Sequence, residues 1–206
     1  LVLPNCGIVP HVGSSDTVTI GERLAVGGMA EIFAASVSSR RAVLKSSLPG
    51  AEPRRLASEA DALAAIDSPH VVALLGQHAR GLLLERIDGP TLGGLIESAR
   101  RRGRLLPLPA LAALCDGLLL GLSAIHEATA GGVSLGLLHR DLSPGNVLLD
   151  ATGRVVLCDL GLGRFTALDP TTVAGLKGTL AYMSPEQLRG EAAGPESDHY
   201  AISLLI

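Results

Sequence analysis

Tryptophan is absent from this chain of 206 residues, and only two tyrosines and two phenylalanines accompany a 47% hydrophobic composition. So few aromatic rings leave no platform for stacking bases, which argues against a nucleic-acid surface. Charge of one sign is also lacking. The net value is −3, with acids and bases mixed along the sequence, so there is no electrostatic case for a nucleic-acid partner. Cys6, Cys115 and Cys158 are odd in number and widely separated, showing no disulfide framework and suiting a reducing cytoplasm. Cys6 and His11 make half a zinc site at best, and without a second ligand pair Cys6 reads as an ordinary thiol. No basic residue precedes Arg23, so the charged start of a secretory signal is missing. The most apolar stretch, Leu105 to Ile125, is interrupted by Pro107, Pro109 and Asp116 and reads as a buried helix rather than a membrane span. These absences predict a cytoplasmic chain with no membrane segment.

What is present has the make-up of a packed globule, and the length fits one domain with a sizeable core. Residues 1–16, with two prolines, two glycines and Ser14-Ser15-Asp16, read as a poorly ordered leader. Strand signals follow at Thr17–Ile20, Glu31–Ser38, Arg41–Ser46, Val71–Leu75 and Gly81–Glu85, which predicts five strands. Between Pro53 and Ile66, apolar Leu56, Ala60, Leu63 and Ala64 recur at helical spacing, with Glu59 beside that stripe. Arg86–Pro90 breaks the pattern, and helices are predicted over Leu92–Arg102 and Leu108–Ala128. The basic run Arg100-Arg101-Arg102 with Arg104 reads as the solvated, dipole-favoured end of a helix. Ala130–Gly136 is expected as a surface loop, and Val147–Leu149 with Arg154–Leu157 as a hairpin turning at Asp150–Gly153.

The chemistry-bearing strings lie between and after these elements. His139-Arg140-Asp141-Leu142-Ser143-Pro144-Gly145-Asn146 is followed downstream by Asp159-Leu160-Gly161. Phosphoryl transfer needs a carboxylate to orient a hydroxyl, and hard oxygen ligands to hold Mg²⁺ or Mn²⁺ on the phosphates. Asp141 can serve as the first, and Asn146 with Asp159 as the second. Upstream stand Leu24-Ala25-Val26-Gly27-Gly28-Met29-Ala30-Glu31-Ile32 and Ala42-Val43-Leu44-Lys45; downstream stand Gly178-Thr179 and Ser184-Pro185-Glu186. In this order the strings resemble those of bacterial serine/threonine protein kinases.

The resemblance implies an α+β, two-lobed kinase fold. Its small lobe would cover residues 17–86 with five antiparallel strands and one helix, the hinge 86–90, and an incomplete, mainly helical large lobe 91–206. It implies Mg-ATP as phosphate donor and protein Ser/Thr hydroxyls as acceptors. Residues 24–32, Ala42, Lys45, Glu59, Glu85, Ile87 and Leu148 would hold the nucleotide, with Lys45 on its phosphates and Glu59 pairing with Lys45. Asp141 would be the catalytic base, and Asn146 and Asp159 the metal ligands. Thr179 and Glu186 would serve substrate docking, and Arg140 would bind a phosphate carried by Thr171 or Thr172, with Thr166 a further candidate. Leu160 replaces the family's Phe and keeps an apolar plug, while His139 reads as structural.

The chain departs from the pattern at Ala25 and Ala30, where glycines usually stand, and at Ser143, where most relatives carry lysine. These departures, with a sequence that stops at Ile206 before further expected helices, leave a weak or inactive pseudokinase-like binding module as the alternative. A small-molecule kinase of related fold ranks below both. Glu186 is expected to lose an arginine partner and remain a buried, unpaired carboxylate, making the chain marginally stable.

Overall fold

A computed structural model describes residues 16–27, 30–48, 53–161 and 179–206. They divide into two compact units. The first holds the described residues up to Asp67 together with Val72–Arg86 and Thr129–Val133. The second holds Ser68–Val71, Ile87–Ala128 and the described residues from Ser134 onward.

The first unit is built on an antiparallel sheet. Its strands are β1 Val18–Val26, β2 Ala30–Val37, β3 Arg40–Ser47, β4 Leu74–His78 and β5 Gly81–Glu85, in the order β1-β2-β3-β5-β4. Strands β2 and β3 are joined by Ser38 and Ser39 at φ 45° and 71°, the left-handed pair that a two-residue hairpin of matching twist demands. Gly81, at φ 149°, begins β5 so close to β3 that an added Cβ would lie 2.0 Å from the Lys45 carbonyl oxygen. Only glycine fits there. Helix α1, Pro53–Ala64, packs on β4 and β5 and buries Ala60, Ala62 and Leu63.

Two expectations shift here. The glycine-rich stretch is mostly strand, since Ala25 pairs with Ile32 and Val26 with Glu31 across the β1–β2 turn. The fourth strand lies at Leu74–His78 rather than Val71–Leu75. The β-branched Val71-Val72 pair gave the strand signal, but Val71 instead makes a single bridge to Leu157 in the second unit, to which it belongs.

In the second unit, α2 Leu92–Arg101 starts at Thr91, whose hydroxyl accepts from Gly94 N at 3.1 Å. After α3, Leu108–His126, the chain passes through the two-residue strands β6 Thr129–Ala130 and β7 Val133–Ser134, whose residues up to Val133 belong to the first unit, so the expected loop contains a short ribbon. The hairpin β8 Val147–Leu149 and β9 Val155–Leu157 follows. Its turn is held by the Asp150 carboxylate, which accepts from Thr152 and Arg154 and is thereby kept far below the ordinary carboxylate range. Helices α4 Pro185–Leu188 and α5 Pro195–Ser203 complete the unit.

Helix α3 carries the core on one stripe: Leu114, Leu118, Leu122 and Ile125, with Gly117 and Gly121 lying against Val155, Leu157 and His70. It is long and apolar enough to cross a bilayer by length and composition, but this side packs on β9. The expectation of a buried helix therefore holds for one face only. Leu108, Leu119 and Leu120 remain exposed, because the sequence is apolar all round while the unit covers a single stripe.

Candidate active site

The first unit positions a lysine. Lys45 on β3 donates to both carboxylate oxygens of Glu59 on α1, at 2.6 and 2.8 Å, with the two residues 8% and 3% exposed. Ala25, Ile32, Lys45 and Leu82 form one row across four strands, so three of the expected nucleotide residues, Ala25, Ile32 and Lys45, share a sheet face. Ala42 pairs with Glu85, but strand alternation puts it on the face opposite Lys45. Val43, which the sequence reading passed over, is the residue that shares the Lys45 face. Gly27 closes the β1–β2 turn by donating to Ala30 O at 2.8 Å. Gly28 and Met29 lie outside the described residues.

The second unit builds the His139–Asn146 loop around three buried anchors. The first is Asp198, in the opening turn of α5 and 1% exposed. Its carboxylate accepts from His139 N at 2.8 Å, Arg140 N at 2.7 Å and His126 Nε2 at 2.9 Å. Burial alone would raise its pKa. The His126 hydrogen bond and the backbone donors of Arg140 and His139 outweigh that, and the carboxyl stays below its ordinary value. The second anchor is His139, fully buried, whose Nε2 donates to Cys158 O at 3.1 Å while Nδ1 accepts from Asp141 N at 3.4 Å. Burial lowers its pKa against the pull of Asp198, Asp141 and Asp159, so the ring is a neutral crosslink. The third is Gln187 of α4, whose side chain donates to Arg140 O at 3.1 Å.

These contacts hold Arg140 at φ 63°, a left-handed conformation that an arginine adopts only at a cost of about 1–3 kcal/mol. Asp159 is held at φ 60°. Among the described residues of the second unit, Arg140 and Asp159 are the two non-glycine residues in this left-handed region, and they lie on adjoining segments. Gly161 N donates to His139 O at 2.8 Å, and a Cβ on Gly161 would lie 2.9 Å from that of Asp141. The Asp159-Leu160-Gly161 segment thus lies directly against the His139–Asp141 loop, with Leu160 buried.

Asp141 is 4% exposed, and Asn146 Nδ2 donates to its Oδ2 at 3.0 Å and to its backbone oxygen at 2.7 Å. With both amide hydrogens used, the Asn146 Oδ1 is the atom left for a cation. The β8–β9 ladder brings Asn146 to the second strand, where Cys158 N donates to Asn146 O at 3.0 Å, immediately before Asp159. Among the described residues no three His, Cys, Asp or Glu side chains gather into a metal cluster. A set of few hard oxygens, completed by phosphate and water, is the kind Mg²⁺ accepts.

Of the other expected residues, Leu148 is half-buried on β8 and bridges Thr91, and Ile87 is half-buried in the second unit. Thr179 opens a 3₁₀ turn at Thr179–Tyr182, while Thr166, Thr171 and Thr172 lie outside the described residues. Glu186 corrects the expectation of a buried, unpaired carboxylate. It is only half-buried, accepts from the Ser197 hydroxyl, and its pKa is lowered by that bond and by one from Ser184. A hydroxyl-lined helix start supplies the donors that an arginine was expected to give. Asp198 was missed as an anchor because its three partners, His126, His139 and Arg140, are distant in sequence.

A family model described as the protein kinase domain matches residues 24–206. The serine/threonine-protein kinase PknL of Mycobacterium tuberculosis is 38% identical over 157 residues, covering 74% of this chain and 37% of that protein. PknB of Mycobacterium leprae, also a serine/threonine-protein kinase, is 30% identical over 215 residues, with coverages of 96% and 32%. The tyrosine-protein kinase MasK of Myxococcus xanthus is 30% identical over 221 residues, with coverages of 99% and 34%. The chain thus spans about a third of the length of the curated relatives it matches. From its cross-strand lysine to its anchored His-Arg-Asp loop, this chain belongs to the protein kinase domain family.

Proposed function

We propose that the chain transfers the γ-phosphate of Mg-ATP to serine and threonine hydroxyls of protein substrates. The observation that carries the reading is the Asp141–Asn146 pair, locked by two hydrogen bonds in a loop whose strained Arg140 is held by Asp198 and Gln187. Strain maintained at such cost is what functional sites keep. In this reading Asp141 orients the acceptor hydroxyl and takes its proton, and Lys45, aimed by Glu59, takes the α- and β-phosphates. Asn146 Oδ1 and the Asp159 carboxylate are the ligands for Mg²⁺, which when bound offsets charge developing on the phosphates. Residues Leu24–Ile32, Glu85, Ile87 and Leu148 line the nucleotide, and Val43 joins them in place of Ala42.

Regulation by activation-segment phosphorylation belongs to the same proposal. The Arg140 Nε is buried with no hydrogen-bond partner among the described residues, a donor suited to a phosphate on Thr171 or Thr172. The serine/threonine assignment follows the names of PknL and PknB; the name of MasK makes tyrosine the acceptor to test beside them.

The test is phosphate transfer from labelled ATP to a basic protein and to matched Ser, Thr and Tyr peptides. Asp141→Asn is expected to lower the rate by about 10²–10⁴-fold. Equal transfer by parent and variant refutes the role of Asp141, and transfer confined to tyrosine refutes the acceptor class.

A further inference from the structure

The connection between α2 and α3 combines two features that neither the kinase reading nor the core requires. The first is charge. Arg100, Arg101, Arg102 and Arg104 are all exposed, and among the described residues only Arg101 meets an acid, Glu97 at a distant 4.0 Å. The next acid along the chain, Asp116, stands two turns into α3. The second feature is apolar. Leu105 is 95% exposed and Leu108 79% exposed, and Leu119, 49% exposed, continues the Leu108 face of the helix.

This arrangement is ordered. Gly103, at φ 60°, ends α2 by donating to Arg100 O, and Arg104 N donates to Ala99 O at 3.0 Å. A defined turn therefore presents exposed arginines and leucines together at one corner of the second unit. Single exposed leucines need no explanation. Two nearly bare ones directly following four exposed arginines do.

We infer that this corner docks on the surface of a membrane containing anionic lipid, lying on it rather than crossing it. The chemistry matches at both depths. Leucines on a protruding turn can enter the acyl boundary, while arginines with apolar stems keep their charges among lipid phosphates. A negatively charged leaflet attracts such a basic segment, although the whole chain carries −3. An acidic protein partner fits less well, because it would have to seat protruding leucines as well as pair the arginines.

The whole chain is tested by co-sedimentation with phosphatidylcholine vesicles, with and without about 30 mol% phosphatidylserine. Binding is expected only with the anionic lipid, and it should weaken as salt rises. Arg102→Gln with Arg104→Gln should lower partitioning about 25-fold, roughly fivefold per charge. Leu105→Ser with Leu108→Ser should lower it at least about tenfold while keeping the salt dependence. All four positions are exposed, so unchanged circular dichroism is expected of both variants. Equal binding to both vesicle types overturns the inference, as does no binding to either. Unaltered binding by either variant overturns it too, as does polyglutamate binding without vesicle binding, or self-association that shields Leu105.

Discussion

Removing the Asp198 carboxylate tests the architecture of the His139–Asn146 loop most directly. In Asp198→Ala, the backbone N–H groups of His139 and Arg140 lose their acceptor inside a site where His139 is wholly buried. Each stranded donor costs about 1–3 kcal/mol, so the pair costs about 4 kcal/mol. His126, on the partly open side of the network, can turn to water and adds little. Asp198→Asn keeps one acceptor oxygen but sets an amide N–H against a remaining donor, and about half that loss is expected. These values are a large share of a domain's usual net stability, about 5–15 kcal/mol. Urea unfolding followed by circular dichroism should show a lower midpoint with an unchanged slope, and the alanine variant should suffer more. A loss under about 1 kcal/mol in Asp198→Ala would refute the claim that this carboxylate holds the strained Arg140 segment in place.

Stability should also fall as the solution is acidified from neutrality. The folded state keeps His139 neutral, with its pKa below the ordinary 6.5, whereas the unfolded chain binds a proton there. The contribution is fully present above that value and shrinks below it, with a slope approaching about 1.4 kcal/mol per pH unit. His139→Gln should have a flatter profile than the parent between pH 7 and 5 in urea titrations; identical slopes would contradict the neutral buried ring. On α3, Gly121→Ala would place a Cβ 2.7 Å from His70 O and 2.9 Å from Leu157 Cδ1, so helix and hairpin must separate. A destabilisation of about 1–3 kcal/mol is expected despite alanine's better helix propensity, and calorimetry showing a gain would disprove the close packing.

The kinase fold class and the pairing of Lys45 with Glu59 were legible through the resemblance that the ordered strings carry, and the five-stranded sheet through strand signals. Those signals are local: β-branched runs, one helical apolar stripe, and short strings whose side chains suit phosphate and metal. The strand misplaced at Val71–Leu75 shows the limit, since Val71 satisfies its backbone against Leu157, far along the chain. Parity at Ala42 is likewise a property of the β3 register, and the string Ala42-Val43-Leu44-Lys45 does not display it.

By itself the sequence determined which groups are available for chemistry, because residue type fixes charge, donor inventory and hardness as a ligand. Tertiary structure alone decided which of them are locked and which are bare. Asp198 acquires its role only when α5 meets the His139–Arg140 backbone, and Glu186 finds hydroxyl donors instead of an arginine. Leu105 and Leu108 stay uncovered although their composition resembles that of the buried stripe beside them. Burial and hydrogen-bond satisfaction depend on distant segments meeting, and no local pattern encodes which segments will meet.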